Sequence, residues 1–190
     1  MASQFFDLSM DVYVPGRWSL AEPRRLDGQP IEDIWQFIEG REVEDPGPLY
    51  VPLFQAGRPL DLEFAGAGQA PVVSERVAKV FLDMAPHDVQ LFPVEVEGQP
   101  GSYFLLNVTR TVRCIDDAAC EEVRLWTSGD GRPDRVGEYR VVAGLRIDPS
   151  KVNTARVFRL WGWTVPLIVE ASIKDALART GIVGGRFDAV

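Results

Sequence analysis

The chain carries one histidine and two cysteines, so covalent or acid–base chemistry has few residues to rest on. His87 sits in MAPHDV beside Asp88. An imidazole oriented by a carboxylate is the base of Ser-His-Asp and Cys-His catalysts, and any such catalyst here has to use His87. Adjacent residues seldom point the same way, however, and the sequence has no G-x-S-x-G nucleophile turn. Cys114 and Cys120 stand in CIDDAAC, among Asp116, Asp117, Glu121 and Glu122. C-x5-C is not a zinc spacing, and no histidine lies near enough to complete a site. The four carboxylates lack the glycine and the spacing of a calcium loop. FAGAGQAPVVSERV offers a G-x-G before a helix, but Pro71 stands where a dinucleotide loop needs its third glycine. The expectation is therefore no catalytic residue, no metal and no cofactor, with two reduced thiols buried or half-buried.

The elements that would position these residues can be read from periodicity. Phe6, Leu8, Met10, Val12 and Val14 alternate with polar residues, which predicts an amphipathic strand. IEDIWQFIEG reads as a short helix opened by Pro30, with Ile31, Ile34, Trp35 and Ile38 on one stripe and Gly40 ending it. LYVPLF and LDLEFA read as short strands, and Pro52 suggests an edge. SERVAKVFLDMA reads as a helix with Ser74 as N-cap and Val77, Val80, Phe81 and Met84 inward. VQLFPVEVE, the turn GQPG and SYFLLNVTRTVRC read as a β-hairpin, its second strand apolar on both faces at its start. EEVRLWT, EYRVVAGLRI, RVFRLWGW and PLIVE supply further strands. SIKDALARTG reads as a last helix, with Ser172 as N-cap and Gly181 beyond its end. RLWGWT would put Trp161, Trp163 and Arg159 on one side of an extended segment, a combination favoured at interfaces. Core packing of both indoles is the commoner explanation of such a pair, and a small-ligand site is another.

The pattern predicts an α+β fold, a mostly antiparallel sheet with about three helices on it or at its rim, in one domain over residues 1–190. Composition is that of an ordinary globular protein, 46% hydrophobic and 25% charged. No apolar run is long enough for a membrane span, and the N-terminus lacks the pattern of a signal peptide, so the expected compartment is the cytoplasm. Net charge is −8 and unevenly spread: residues 1–95 carry −9 and residues 96–190 carry +1. This balance argues against direct nucleic-acid binding, which needs a basic face. It suits docking on a basic partner.

VQLFPVEVEGQPGSYFLLNVTRTVRCID resembles the core hairpin of a bacterial immunity-protein family, immunity family eleven of the polymorphic-toxin systems, once only a domain of unknown function. The matching positions are Phe92, Pro93, Val94, Tyr103 to Val108, Cys114 and Asp116. The C-terminal segment is also similar, through Phe158, Arg159, Ser172 and a closing G-x-x-G-x-x-F at Gly181, Gly184 and Phe187. The resemblance covers about residues 72–190, with residues 1–71 as a variable N-terminal part. It carries over no catalytic or metal residue. It implies an antitoxin that neutralises a cognate toxin by contact, the toxin's gene commonly lying alongside.

Glu39, Glu42, Glu44 and Asp45, with Asp116, Asp117, Glu121 and Glu122, are the expected partner-binding residues, suited to a basic cleft such as a nuclease's substrate groove. An adaptor or chaperone for a secreted effector would use a similar surface. An exposed edge strand would also let two copies of the chain pair.

Overall fold

Val89–Val96 and Tyr103–Val108 form the expected hairpin, with Leu91 opposite Leu106 and Val94 opposite Tyr103. The computed structural model describes residues 4–190. In chain order its strands are β1 Phe5–Met10, β2 Ser19–Leu20, β3 Arg24–Arg25, β4 Leu49–Val51, β5 Leu53–Gln55, β6 Leu62–Ala65 and β7 Ala70–Ser74, followed by helix α1 Glu75–Met84. The hairpin supplies β8 and β9, and then come β10 Thr111–Val112, β11 Glu122–Leu125, β12 Tyr139–Ala143, β13 Val157–Leu160 and β14 Trp163–Glu170. Helix α2, Ala171–Arg179, and β15, Gly185–Ala189, close the chain.

The strands make two large sheets, ordered β3-β4-β8-β9-β7-β6 and β10-β13-β14-β1-β15, and two small pairs, β11-β12 and β2-β5. Pairing is antiparallel except between β4 and β8 and between β10 and β13. The class is α+β and mostly strand, as the sequence predicts, but with two α-helices where about three were expected.

The missing helix is Ile31–Gly40, which holds only a 3-10 turn at Gln36–Ile38. Asp33 Oδ1 accepts a hydrogen bond from the Trp35 N–H at 2.9 Å, an Asx turn that competes with helical pairing. The buried residues there are Ile31, Phe37 and Ile38, while Trp35 is exposed, so the 3.6-residue stripe does not face the core.

Pro52 marks no edge. It divides LYVPLF into β4, which lies between β3 and β8, and β5, which pairs with β2. RVFRLWGWTVPLIVE likewise breaks at Trp161–Gly162, a two-residue turn that sets Leu160 opposite Trp163. The segment from Tyr103 to Cys114 is not one strand either. It pairs as β9 in the six-stranded sheet as far as Val108, then joins the other sheet as β10 beside β13.

Strand β9 explains the layering. Leu106 and Val108 point into a core shared by both sheets and both helices, with Val77, Phe81, Val157, Leu167, Ile173 and Leu177. Leu105 points the other way, into a second core roofed by the N-terminal loops through Trp18, Ile31 and Phe37. A third core covers the outer face of the five-stranded sheet with Cys114, Ile115, Tyr139 and Ile147. Helix α1 buries Val77, Ala78 and Phe81. Ser74 sits at its N-cap position, but its hydroxyl donates to Asp61 Oδ1 at 2.8 Å instead of capping. Glu170 takes the N-cap position of α2, and Ser172 lies inside the first turn, where its hydroxyl donates to Glu170.

The closing G-x-x-G-x-x-F has a steric basis. Gly181 follows α2 with φ +68° and open space around it. Gly184, at φ +103°, lies so close to β6 that a Cβ would overlap the Leu62 carbonyl oxygen. Gly184→Ala is therefore expected to cost more than about 2 kcal/mol in urea unfolding, and Gly181→Ala about 1 kcal/mol. Equal midpoints for the two variants would contradict this packing.

Candidate partner-binding surface

The residues that could do chemistry are dispersed. His87 is exposed in the connection from α1 to β8. Asp88 is buried, and its Oδ2 accepts from the backbone N–H groups of Arg156 at 2.8 Å and Val157 at 3.2 Å. Its carboxylate thus ties the hairpin to β13. Cys114 is fully buried, and burial pushes its thiol up to about 12. Cys120 is half-buried, its sulfur accepting from the Arg146 N–H at 3.3 Å. Among the described residues no group of three or more His, Cys, Asp and Glu side chains is placed to hold a metal ion.

The first acidic cluster is held firmly. The Gln90 side chain exchanges two hydrogen bonds with the Val43 backbone, accepting at 3.0 Å and donating at 3.1 Å. Asn107, fully buried, donates to the Arg41 carbonyl at 2.9 Å. Residues 39–45 are thereby stitched to β8 and β9, and Glu39, Glu42, Glu44 and Asp45 stay exposed on that frame. Glu39 pairs with Arg41 at 2.6 Å.

The second cluster runs from the connection after β10 to the first residue of β11, over the other sheet. Asp116 caps its turn through the N–H groups of Ala118 and Ala119. Asp117 accepts from the Tyr139 hydroxyl at 2.8 Å. Glu121 and Glu122 are exposed, and Glu122 pairs with Arg124. No hydrogen bond or ion pair joins the two clusters among the described residues. The first is anchored mainly on β8 and β9, with a further bond from Thr111 of β10 to the Gly40 carbonyl, and the second on the outer face of the five-stranded sheet.

Arg159 and the two tryptophans do not form the expected row. Trp161 stacks under Arg113, whose guanidinium carbon lies 4.1 Å from the ring centroid. Arg159 is completely buried; its Nη1 donates to the Val165 carbonyl at 2.7 Å, and burial lowers its affinity for its proton. Burial likewise raises nearby Asp7 from 3.8 to about 6, against the opposing effects of the Leu167 N–H and the Arg159 charge. For Asp61, burial is outweighed by the Arg76 guanidinium, the Val183 N–H and the Ser74 hydroxyl, which hold its carboxyl below the usual range. These buried charges tie strands together and leave the acidic clusters as solvent-facing charge.

A scan against protein families matches residues 14–190 to the immunity protein family Imm11. The chain belongs to this family. The match spans every element from β2 to β15, so both large sheets and both helices lie largely within the Imm11 region. It also extends upstream of residue 72, into the N-terminal part that the sequence resemblance leaves variable. A comparison with curated proteins finds no match.

Sequence reasoning missed the internal charge pairs of this Imm11 chain. Arg17 with Glu63 and Arg76 with Asp61 join residues far apart in the chain, and no local spacing could announce them. It also missed a groove beside Asp45 formed by the ends of β4, β8 and β9.

Two measurements check these environments. Between pH 4 and 6, approximately, folded Asp7 keeps a proton that the unfolded chain has released, so its contribution to stability falls as pH rises. Asp7→Asn should abolish that fall, changing the stability difference from wild type by about 2–3 kcal/mol across the window. A pH-independent difference in urea unfolding would contradict the burial of Asp7. Native protein should also expose at most one thiol to Ellman's reagent, at Cys120, with Cys114 reacting only on unfolding. Rapid reaction of both thiols would contradict the buried place of Cys114.

Proposed function

We propose that this Imm11 chain is an antitoxin that binds a cognate toxin of a bacterial polymorphic-toxin system and neutralises it by direct contact, in the cytoplasm of the producing cell and its kin. The observation that carries this reading is the family match across residues 14–190. An antitoxin of this kind works by binding and needs a stable fold with a specific charged surface. The interleaved cores supply the first requirement and the fixed, exposed clusters suit the second.

The acidic surface favours a basic target, and a nuclease toxin with a positively charged substrate groove fits that description. Glu39, Glu42, Glu44 and Asp45, with Asp116, Asp117, Glu121 and Glu122, would steer the encounter, because exposed charge acts on association rate more than on dissociation. Asp117 has a structural duty to Tyr139 as well, so its role in contact is best probed through its neighbours.

The test is co-expression with the reading frame adjacent to the gene. The neighbour alone should arrest growth, and this chain should restore growth and co-purify with it. Replacing Glu39, Glu42, Glu44, Glu121 and Glu122 by Lys should slow association about tenfold or more at low salt and flatten its salt dependence. An adjacent protein that is harmless, or that kills despite this chain, would overturn the reading. Unchanged association kinetics in the folded variant would remove the acidic clusters from it.

A further inference from the structure

The two large sheets have four outer strands, β3, β6, β10 and β15. Of these, β3 and β10 are two residues long, and β6 gives its Leu62 N–H to the Val183 carbonyl. Strand β15 is different. It runs for five residues, GRFDA, and among the described residues it pairs on one side only, with β1. At the two ends of that pairing the Asp11 N–H donates to the Gly184 carbonyl at 2.8 Å and the Val190 N–H to the Phe5 carbonyl at 3.2 Å. Even-numbered residues of β15 therefore turn their backbone groups toward β1, and Gly185, Phe187 and Ala189 turn theirs outward. Among the described residues these three outward positions take one bond, which Arg146 Nη1 donates to the Ala189 carbonyl at 3.2 Å. A carbonyl oxygen can accept a second.

The side chains alternate in the same rhythm. Phe187 packs against the shared core, while Arg186 and Asp188 lie exposed on the opposite face, paired with each other at 2.8 Å. Exposed charges usually keep an edge strand single. Here their order decides which partner they exclude. A two-fold axis pairs an edge strand antiparallel with its own copy. With the axis at Phe187, that residue meets its own counterpart, Gly185 meets the second copy's Ala189, and Arg186 meets the second copy's Asp188. All three outward positions then exchange N–H and carbonyl groups, and the four charges on the exposed face alternate in sign. Slipping to the next register that keeps outward positions opposed sets Arg186 against its own counterpart in one direction and Asp188 against its own in the other. Like charges directly opposite are destabilising. One register therefore satisfies backbone and charge together.

We infer that β15 is a dimer edge, and that it receives β15 of a second copy of this chain, antiparallel about Phe187, so that the two five-stranded sheets become one continuous sheet. The occupant is a second copy because GRFDA is complementary to itself, in backbone parity and in charge. The pairing closes the longest open edge of the two large sheets. It does not depend on the antitoxin reading.

The test is sedimentation equilibrium of the full chain over a concentration series, where wild type should reach twice the chain mass. Arg186→Asp and Asp188→Arg each set like charges opposite one another at both symmetry-related pairs. Each alone should raise the dimer dissociation constant about tenfold or more. The two single variants are complementary to one another, so an equimolar mixture should associate as a heterodimer. The chain carrying both changes should regain self-association. Ala189→Pro removes an outward N–H that β1 does not use, and it should also leave a monomer. Circular dichroism and urea unfolding check each fold, and association on mixing checks the single variants independently.

A wild-type chain that stays monomeric across the series overturns the assignment. So do dimers that survive both single charge reversals, and so does a mixture of the two folded single variants that fails to associate. Backbone amides of β15 that become protected only when the toxin encoded alongside is added would put a toxin strand on this edge, which overturns the dimer and leaves the antitoxin reading standing.

Discussion

The Asp88 carboxylate is the joint on which the two sheets depend. Its Oδ2 receives the N–H groups of Arg156 and Val157 at the entry to β13, and its own carbonyl receives the Thr109 N–H at the exit of β9. One residue further on, the Arg110 carbonyl receives the Arg159 N–H. The chain is thus clamped to both sheets at the place where it leaves one and enters the other. A buried carboxylate bonded to backbone N–H groups is well satisfied, and removing it would leave those donors orphaned at a cost of about 1–3 kcal/mol each. The consequence is geometric: with the crossing fixed, Leu106 and Val108 of one sheet face Val157 and Leu167 of the other, and both helices close over that shared core.

The same crossing organises the surface. Beyond it the chain runs to Cys114 and Ile115, which sink into the outer core, and then to the acidic turn at Asp116 and Asp117. At the start of β10, Thr111 donates to the Gly40 carbonyl at 2.8 Å and helps seat the segment that bears Glu39 to Asp45. The segment of the first acidic cluster is thus tied to both sheets, through Gln90 and Asn107 on one and Thr111 on the other, and the second cluster follows β10 within a few residues. An immunity protein benefits from such rigidity, because a preordered surface loses less entropy on binding.

Much of this was legible in the sequence where the signal is local. The hairpin of β8 and β9 follows from alternation around a Gly-Pro turn, and α1 from its apolar stripe between Ser74 and Pro86. The two-sided start of β9 showed in the apolar pairs Tyr103–Phe104 and Leu105–Leu106, which now serve two different cores. What failed was non-local. Nothing in NVTRTV says that pairing partners change after Val108, since β10 is defined by β13, whose paired residues lie 48 positions later. The stripe in IEDIWQFI is real, but a side-chain turn at Asp33 and burial of Phe37 outcompete it. Arg159 looked like an interface residue because sequence position does not reveal depth. The acidic character of the surface was readable; the groove at Glu95 was not, because it needs three strands in register.

We propose that the preordered acidic segments, residues 39–45 and 116–122, are what meets a cognate toxin. Hydrogen–deuterium exchange of the free chain and of its complex with the protein encoded alongside tests this directly. Slowed exchange is expected in residues 39–45 and 116–122, with no unfolding elsewhere. Protection confined to other surfaces, such as the β2–β5 pair or β15, would contradict it.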